Sequence, residues 1–105
     1  MPLLLLPYQE KHMRHILHSI YNNRPVTVAM GFDVPLQGYF MTVEPEEENN
    51  PDANEESGMI YSNLDDPELK SSMGMAPNLQ YFKNKLREMK IVLPKLFFDS
   101  VLTDY

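Results

Sequence analysis

The sequence predicts a small α+β domain in which an antiparallel three-stranded β-meander is covered on one face by an N-terminal helix and two C-terminal helices. Two observations predict this class. A chain of 105 residues that is 43% hydrophobic can bury one core and form one domain, residues 1–105. Helical spacing at both ends of the chain flanks short β-branched segments in the middle. Because no helical segment separates the predicted strands, a parallel sheet with crossovers is disfavoured.

Apolar residues recur at helical spacing in three segments. The first predicted helix spans residues 9–21, and Asn22 and Asn23 are interpreted as its stop signal. The second spans 77–90 and the third 95–103, separated by the break at Pro94. The apolar stripe of the first helix is Met13, Ile16, Leu17 and Ile20, and that of the second is Leu79, Phe82, Leu86 and Met89.

The three predicted strands span residues 26–30, 39–43 and 58–62. β-branched and aromatic residues dominate the first two, which are expected to pair antiparallel across a loop of about eight residues. The third is expected to return beside the second. After it, Asp66 followed by Pro67 has the pattern of a helix cap with proline at the first helical position.

The charge is distributed unevenly along the chain, although the net charge is only −6. From Pro25 to Leu69 there are eleven acidic residues and no Lys or Arg, and all nine basic residues lie outside this stretch. Residues 44–57 hold seven of the acids and are predicted to form a mobile loop, since so polar a segment buries little surface. The distribution favours a basic protein surface as partner and disfavours direct binding of nucleic acid, which needs cations.

Cysteine usage and hydropathy bear on the compartment. The chain has no Cys, which excludes disulfides, thiolate metal sites and cysteine nucleophiles. The apolar run Leu3–Leu6 is too short for a signal peptide or a membrane span. We therefore expect a cytoplasmic protein that does not enter a membrane.

Candidate catalytic and metal-binding residues have simpler explanations. His12, His15 and His18 recur every three residues, so two of them could reach one metal ion on a helix, but solvent-facing histidines explain the pattern as well. The acidic segment lacks the ligand spacing of a calcium loop. Asp65 and Asp66 could serve acid–base chemistry, and a helix cap explains them better. No nucleophile or phosphate-binding motif is present, so we expect no enzyme activity, cofactor or metal site.

The remaining candidate is a protein-docking surface. Residues 31–38 form a turn region with large apolar side chains, which either closes one end of the sheet or is exposed beside negative charge. In the second case its apolar residues anchor a partner and the acids steer it. The predicted partner-binding residues are Phe32, Asp33, Leu36, Tyr39, Glu46, Glu47, Glu48, Tyr61, Asp65 and Asp66.

Three segments also resemble a group of known proteins. They are the loop Gly31–Gln37 with its Gly-x-Asp-x-Pro-Leu-Gln pattern, the turn Tyr-Ser-Asn-Leu-Asp-Asp at 61–66, and the final helix after Leu93–Pro94. Together they look like small bacterial proteins of unassigned activity from plasmids and related mobile elements. The resemblance implies an accessory role and transfers no catalytic residue.

The sequence therefore supports a non-enzymatic accessory protein that binds a basic protein partner through its acidic central segment. Two alternatives remain open. One is an inhibitor that mimics nucleic acid and blocks a DNA-binding or defence protein. The other is a homo-oligomeric module, for example a homodimer, in which the basic helices of one subunit meet the acidic middle of another.

Overall fold

A computed structural model describes residues 14–102, which form a four-stranded antiparallel sheet followed by two α-helices. Each strand lies beside its neighbours in sequence, in the order β1-β2-β3-β4. The predicted α+β class and antiparallel sheet are confirmed, but the sheet has four strands rather than three. The strands are β1 (Arg14–Tyr21), β2 (Arg24–Asp33), β3 (Gly38–Pro45) and β4 (Tyr61–Ser62), and the helices are α1 (Leu79–Met89) and α2 (Lys95–Leu102).

The predicted N-terminal helix is wrong over residues 14–21, which form β1. Asn22 and Asn23 have φ angles of 51° and 64°. Two successive residues in this left-handed region make the tight turn that joins paired antiparallel strands. β1 therefore folds back along β2, with Leu17 opposite Val28. The other part of the predicted helix, residues 9–13, lies outside the described residues.

A spacing of four residues, as between Ile16 and Ile20, puts both side chains on one face of a helix or on one face of a strand. Ile16, Leu17 and Ile20 would share one face of a helix, but in a strand successive side chains point to opposite faces. Ile16 and Ile20 accordingly lie on the outer face and are 53% and 54% exposed, while Leu17 packs against the core.

The loop between β2 and β3 is shorter than predicted. β2 continues to Asp33 and β3 begins at Gly38, so only residues 34–37 connect them. The side chain of Asp33 closes this turn by accepting a hydrogen bond of 3.0 Å from the backbone N–H of Leu36. Gln37 takes up the positive φ angle, 54°, that returns the chain to the sheet.

After β3, the chain forms a series of turns before β4 and two 3₁₀-helices. β4 pairs with β3, as expected for the third predicted strand, but it has only two residues. The 3₁₀-helices span Asn63–Asp65 and Pro67–Ser72. The predicted cap is confirmed, because the Asp66 side chain accepts from the N–H of Glu68 and Pro67 is the first helical residue.

One hydrophobic core joins the inner face of the sheet to both α-helices. Alternate residues of β2 and β3 point into it, as the strand period requires. α1 supplies three buried side chains of its predicted stripe, and Phe97 and Val101 come from α2. The innermost residues are Val26, Val28, Met30, Met41, Val43, Phe82 and Val101. Within residues 14–102, no helix has the length and apolar character needed to cross a membrane.

Candidate functional site

The carboxylate of Asp66 is the centre of a polar cluster where β4, the second 3₁₀-helix and α1 meet. Asp66 is only 4% exposed. Its Oδ2 accepts hydrogen bonds from the hydroxyls of Tyr61, at 2.6 Å, and Tyr81, at 2.8 Å. Its Oδ1 accepts from the backbone N–H of Glu68 at 3.0 Å. The cap residue of a short helix thus also holds two tyrosines from other elements.

Lys85 supplies the counter-charge of this cluster. It follows Tyr81 by one helical turn on α1, so both side chains reach the same side of the helix. The Nζ of Lys85 lies 3.8 Å from Oδ2 of Asp66 and 4.0 Å from Oε1 of Glu88. It also lies 5.7 Å from the ring centroids of both tyrosines, a distance at which an ammonium is attracted to an aromatic face.

The pKa values in the cluster follow from these contacts. Burial alone would raise the pKa of Asp66, but the hydrogen bonds from Tyr61, Tyr81 and Glu68, with the charge of Lys85, outweigh it and hold the pKa below its ordinary value. Burial and the hydrogen bonds to Asp66 raise the pKa of both tyrosines. At neutral pH the Asp66 side chain is therefore a carboxylate, and both tyrosine hydroxyls are neutral.

An open pocket of about 280 Å³ lies beside this cluster. Tyr61 and Asp66 form part of its wall, so the buried carboxylate lies close to solvent. The lining is mixed, with both apolar side chains and hydrogen-bonding groups. It consists of Asn54, Ser57, Met59, Ile60, Tyr61, Ser62, Asp65, Asp66, Pro67 and Lys85.

Three exposed acids belong to the segments that line the pocket, and we call them the acidic rim: Glu55, Glu56 and Asp65. Asp65 lines the pocket directly, and the two glutamates lie between the lining residues Asn54 and Ser57. Asn54 shapes this turn, because its Oδ1 accepts from the N–H groups of Glu56 and Ser57 at 2.8 and 3.1 Å. Among residues 14–102, no Lys, Arg or His nitrogen lies within 4 Å of a rim carboxylate.

Three other acids, which we call the hairpin-tied acids, bind the β1–β2 hairpin: Glu46, Glu47 and Asp52. Oε2 of Glu46 lies 2.5 Å from Nδ1 of His18 and accepts from Thr27 at 2.8 Å. Glu47 is 3.4 Å from Arg24, and Asp52 accepts from Asn22 at 2.9 Å. Bonding to His18 and Thr27 lowers the pKa of Glu46. These carboxylates already have partners within the chain.

No family model matches this chain, and comparisons with curated proteins and with solved structures give no match.

The structure places the predicted apolar anchors unequally. Phe32 and Tyr39 are 6% and 5% exposed, and their rings pack edge-to-face with centroids 4.9 Å apart. Tyr61 is half-buried in the pocket wall. Leu36, at the tip of the β2–β3 turn, is 42% exposed. Both expectations for the turn region therefore hold in part: Phe32 closes one end of the core together with Tyr39 of β3, and the tip at Leu36 faces solvent.

The predicted acidic residues fall into separate groups. Asp65 belongs to the acidic rim, and Asp66 is buried beneath it. Glu46 and Glu47 belong to the hairpin-tied acids. Glu48 is exposed, with no cation within 4 Å among the described residues. Asp33 holds the β2–β3 turn.

The histidine spacing has a different consequence in a strand. His15 and His18 are three residues apart in β1, so their side chains point to opposite faces of the sheet. They cannot share the single ion that helical spacing would allow. His12 lies outside the described residues. The part of the chain described contains no group of three His, Asp or Glu side chains placed to hold a metal ion.

Sequence reasoning missed the α1 residues of the site and two of its rim acids. Tyr81 and Lys85 lie off the apolar stripe and were not singled out. Their spacing of four residues is the available signal, since it places both on one side of a helix. Glu55 and Glu56 were assigned only to the acidic segment, because nothing local to them indicates the pocket.

Proposed function

We propose that this protein is a non-enzymatic accessory protein that binds a basic protein partner at the acidic rim and the pocket it borders. The observation that supports this best is the position of Glu55, Glu56 and Asp65. All three residues are exposed, and none has a cation within 4 Å among the described residues. Asp65 lines the concavity, and Glu55 and Glu56 lie in the turn between two residues that line it. The cysteine-free sequence is compatible with a reducing compartment, where we place this binding.

The surroundings of the rim suit a cationic protein side chain. The aliphatic stem of Lys or Arg can lie along apolar surface while its charged head reaches a carboxylate. Met59 and Ile60 supply such surface in the pocket, and the ring of Tyr61 lies beside them. Lys85 already occupies a position of this kind, between two tyrosine rings and a carboxylate. A partner with several Lys or Arg residues would engage the rim carboxylates around it.

The pKa directions support binding over catalysis at this pocket. An acid–base catalyst is most effective when its pKa is shifted towards the working pH. Here the pKa of Asp66 is lowered and those of Tyr61 and Tyr81 are raised, so all three shift away from neutrality. Such groups keep one protonation state near pH 7, which suits a fixed electrostatic surface.

The test compares two triple variants with the same change in charge. The rim variant is Glu55→Gln/Glu56→Gln/Asp65→Asn, and the matched control changes the hairpin-tied acids, Glu46→Gln/Glu47→Gln/Asp52→Asn. Binding of a Lys/Arg-rich dodecapeptide is measured by biolayer interferometry at about 0.15 M salt, where exposed charges act over roughly 8 Å. We expect the rim variant to bind about tenfold more weakly, since three exposed pairs together contribute about 1.4 kcal/mol.

The control variant is expected to lose less than about threefold in affinity, because its carboxylates are not at the binding surface. Equal losses in the two variants would mean that the peptide senses only net charge. An unchanged affinity in the rim variant would contradict the proposal directly. Circular dichroism of both variants checks that the fold is retained.

A further inference from the structure

A second concave surface lies beside α1, and unlike the acidic rim it is lined by basic side chains. This basic groove has a volume of about 350 Å³. Lys83, Arg87 and Lys90 follow one another at spacings of four and three residues, so they line one side of the helix. Among residues 14–102, no carboxylate lies within 4 Å of any of the three. In a chain with a net charge of −6, a groove with three cations lacking an acidic partner suits an anionic occupant.

The floor of the basic groove is apolar. Leu86 and Ile91 are buried at its base, and the partly exposed Leu93 and Phe98 lie beside them. The Nζ of Lys83 is 5.1 Å from the ring centroid of Phe98, so the cation and the apolar floor are in contact. Basic residues near the C-terminal end of a helix are favourable on their own account, so the cations by themselves need no ligand. This preference does not explain why they lie along the edge of an open apolar floor. Such an arrangement suits a ligand that carries both negative charge and an apolar side chain.

The same chain presents a surface of this composition, which we call the Leu64 turn: Leu64, Asp65 and Met73. Leu64 is 65% exposed and Met73 is 68% exposed. Both lie close to Gly74, because Met73 precedes it and Cδ2 of Leu64 would be 3.0 Å from a Cβ built there. The exposed carboxylate of Asp65 follows Leu64 directly. An apolar projection with an adjacent negative charge matches a basic groove with an apolar floor.

The Leu64 turn is held in place by the buried side chain of Asn63. Its Oδ1 accepts from the N–H of Met41 in β3 at 3.3 Å, and its Nδ2 donates to the carbonyl of Gly74 at 2.8 Å. The N–H of Leu64 is bonded to Ser62. A surface that is already ordered loses little conformational entropy when it binds.

We propose that the basic groove receives the Leu64 turn of a second copy of this chain. Leu64 enters the groove over Phe98, and Asp65 pairs with the cations along α1. This inference rests on the proposed function, because it names a basic surface that Asp65 of the acidic rim binds. The turn and the groove are different surfaces, so each copy can bind one neighbour through each of them, and association can continue past a dimer.

Two variants break the contact from opposite sides. Leu64→Ser/Asp65→Asn removes the projection and its charge, and Lys83→Glu/Arg87→Glu reverses the charge of the groove. All four side chains are outside the innermost core, and circular dichroism confirms folding. Sedimentation velocity is measured from 20 to 500 μM at about 0.15 M salt, because screening over roughly 8 Å weakens the repulsion between two acidic copies. We expect the wild-type protein to associate with increasing concentration and each variant to associate at least tenfold more weakly.

An equimolar mixture of the two variants is the decisive measurement. The first retains its groove and the second retains its Leu64 turn, so the mixture is expected to form a 1:1 complex and nothing larger. A wild-type protein that stays monomeric to 500 μM would overturn the inference, as would association that either variant leaves unchanged. Binding of the wild type to anionic phospholipid vesicles through Lys83 and Arg87, without self-association, would assign the groove to a lipid surface instead. In each of these cases the dodecapeptide experiment still decides the proposed function separately.

Discussion

Two groups of acids in one stretch of the sequence have different roles in the folded chain. The hairpin-tied acids, Glu46, Glu47 and Asp52, bind side chains of the β1–β2 hairpin. The acidic rim, Glu55, Glu56 and Asp65, belongs to the segments that line an open pocket, and among the described residues no cation lies within 4 Å of its carboxylates. The linear charge pattern is the same for both groups. The two groups differ in whether they contact side chains of the β1–β2 hairpin. These contacts depend on residues 14–21 forming the strand β1 rather than a helix.

Burial makes a second difference between these regions. The partners of the hairpin-tied acids are exposed, with 76% of the His18 side chain and 44% of the Arg24 side chain accessible to solvent. Ion pairs in such positions contribute little to stability, because water and salt screen them. Beneath the acidic rim, by contrast, Asp66 is buried and bonded to three donors. We therefore expect the free energy of unfolding to depend much more on Asp66, beneath the acidic rim, than on the hairpin-tied acids.

The largest effect is expected from Asp66→Ala. This change leaves the hydroxyls of Tyr61 and Tyr81 without their shared acceptor and removes the cap of the second 3₁₀-helix. Lost hydrogen bonds to a buried charge and a lost cap together cost roughly 3 kcal/mol or more in the free energy of unfolding. Urea denaturation monitored by circular dichroism measures this loss.

Asp65→Ala is the matched control for that experiment, since it removes a neighbouring carboxylate that is exposed. We expect it to change the free energy of unfolding by less than about 0.5 kcal/mol. If the two alanine variants were equally stable, Asp66 would not be the centre of a stabilising cluster, and the contrast between the two regions would fail.

The parts of the fold that could be predicted from sequence are those with a single local solution. The stripe of Leu79, Phe82 and Leu86 defines α1, because no strand would bring residues at that spacing together. The segment at 14–21 was mispredicted because its apolar pairs satisfy both periods. The deciding residues were Asn22 and Asn23, which end helices but also form the tight turn of a hairpin. Only the pairing of β1 with β2 selects between a helix and a hairpin.

The site could be predicted only in part. Asp65, Asp66 and Tyr61 were identified from the turn chemistry and the aromatic content around them. Their link to Tyr81 and Lys85 depends on the packing of α1 against β4, which is a tertiary contact between segments about twenty residues apart. Phe32 and Tyr39 were expected to anchor a partner, and they are instead buried against each other. Local composition shows that a side chain is apolar, but it does not show which side of the turn it faces.

A smaller effect is expected when the pH is lowered. The folded state holds the pKa of Asp66 below its ordinary value of about 4, so the unfolded chain takes up this proton first as the pH falls. The stabilisation from Asp66 is therefore complete above the ordinary pKa and is lost as the pH falls through the lower, folded-state pKa. Urea denaturation between pH 6 and pH 2.5 should show stability decreasing below about pH 4.

The slope of that pH dependence separates the two regions. Asp66→Asn removes the titrating group and should flatten the slope. Glu46→Gln should also flatten the pH dependence of stability, because Glu46 has a lowered pKa as well. At high salt its effect should be smaller than that of Asp66→Asn, since salt screens the contacts of Glu46 with His18 and Thr27 at the surface. Equal flattening by the two changes would indicate that the hairpin pairs contribute as much as the buried cluster.

The smallest effect is expected from Glu47→Gln. The carboxylate of Glu47 lies 3.4 Å from Arg24, with about half of each side chain accessible to solvent, 49% and 44%. Exposed pairs of this kind contribute less than about 0.5 kcal/mol, and a double-mutant cycle with Arg24→Gln measures the contribution directly. Glu48→Gln is the control, because Glu48 has no cation within 4 Å among the described residues. A coupling energy above about 1 kcal/mol between Arg24 and Glu47 would contradict this expectation. The hairpin-tied acids would then stabilise the fold substantially by holding residues 44–57 against the sheet. The two groups of acids would differ in where they lie, but not in how much they stabilise the fold.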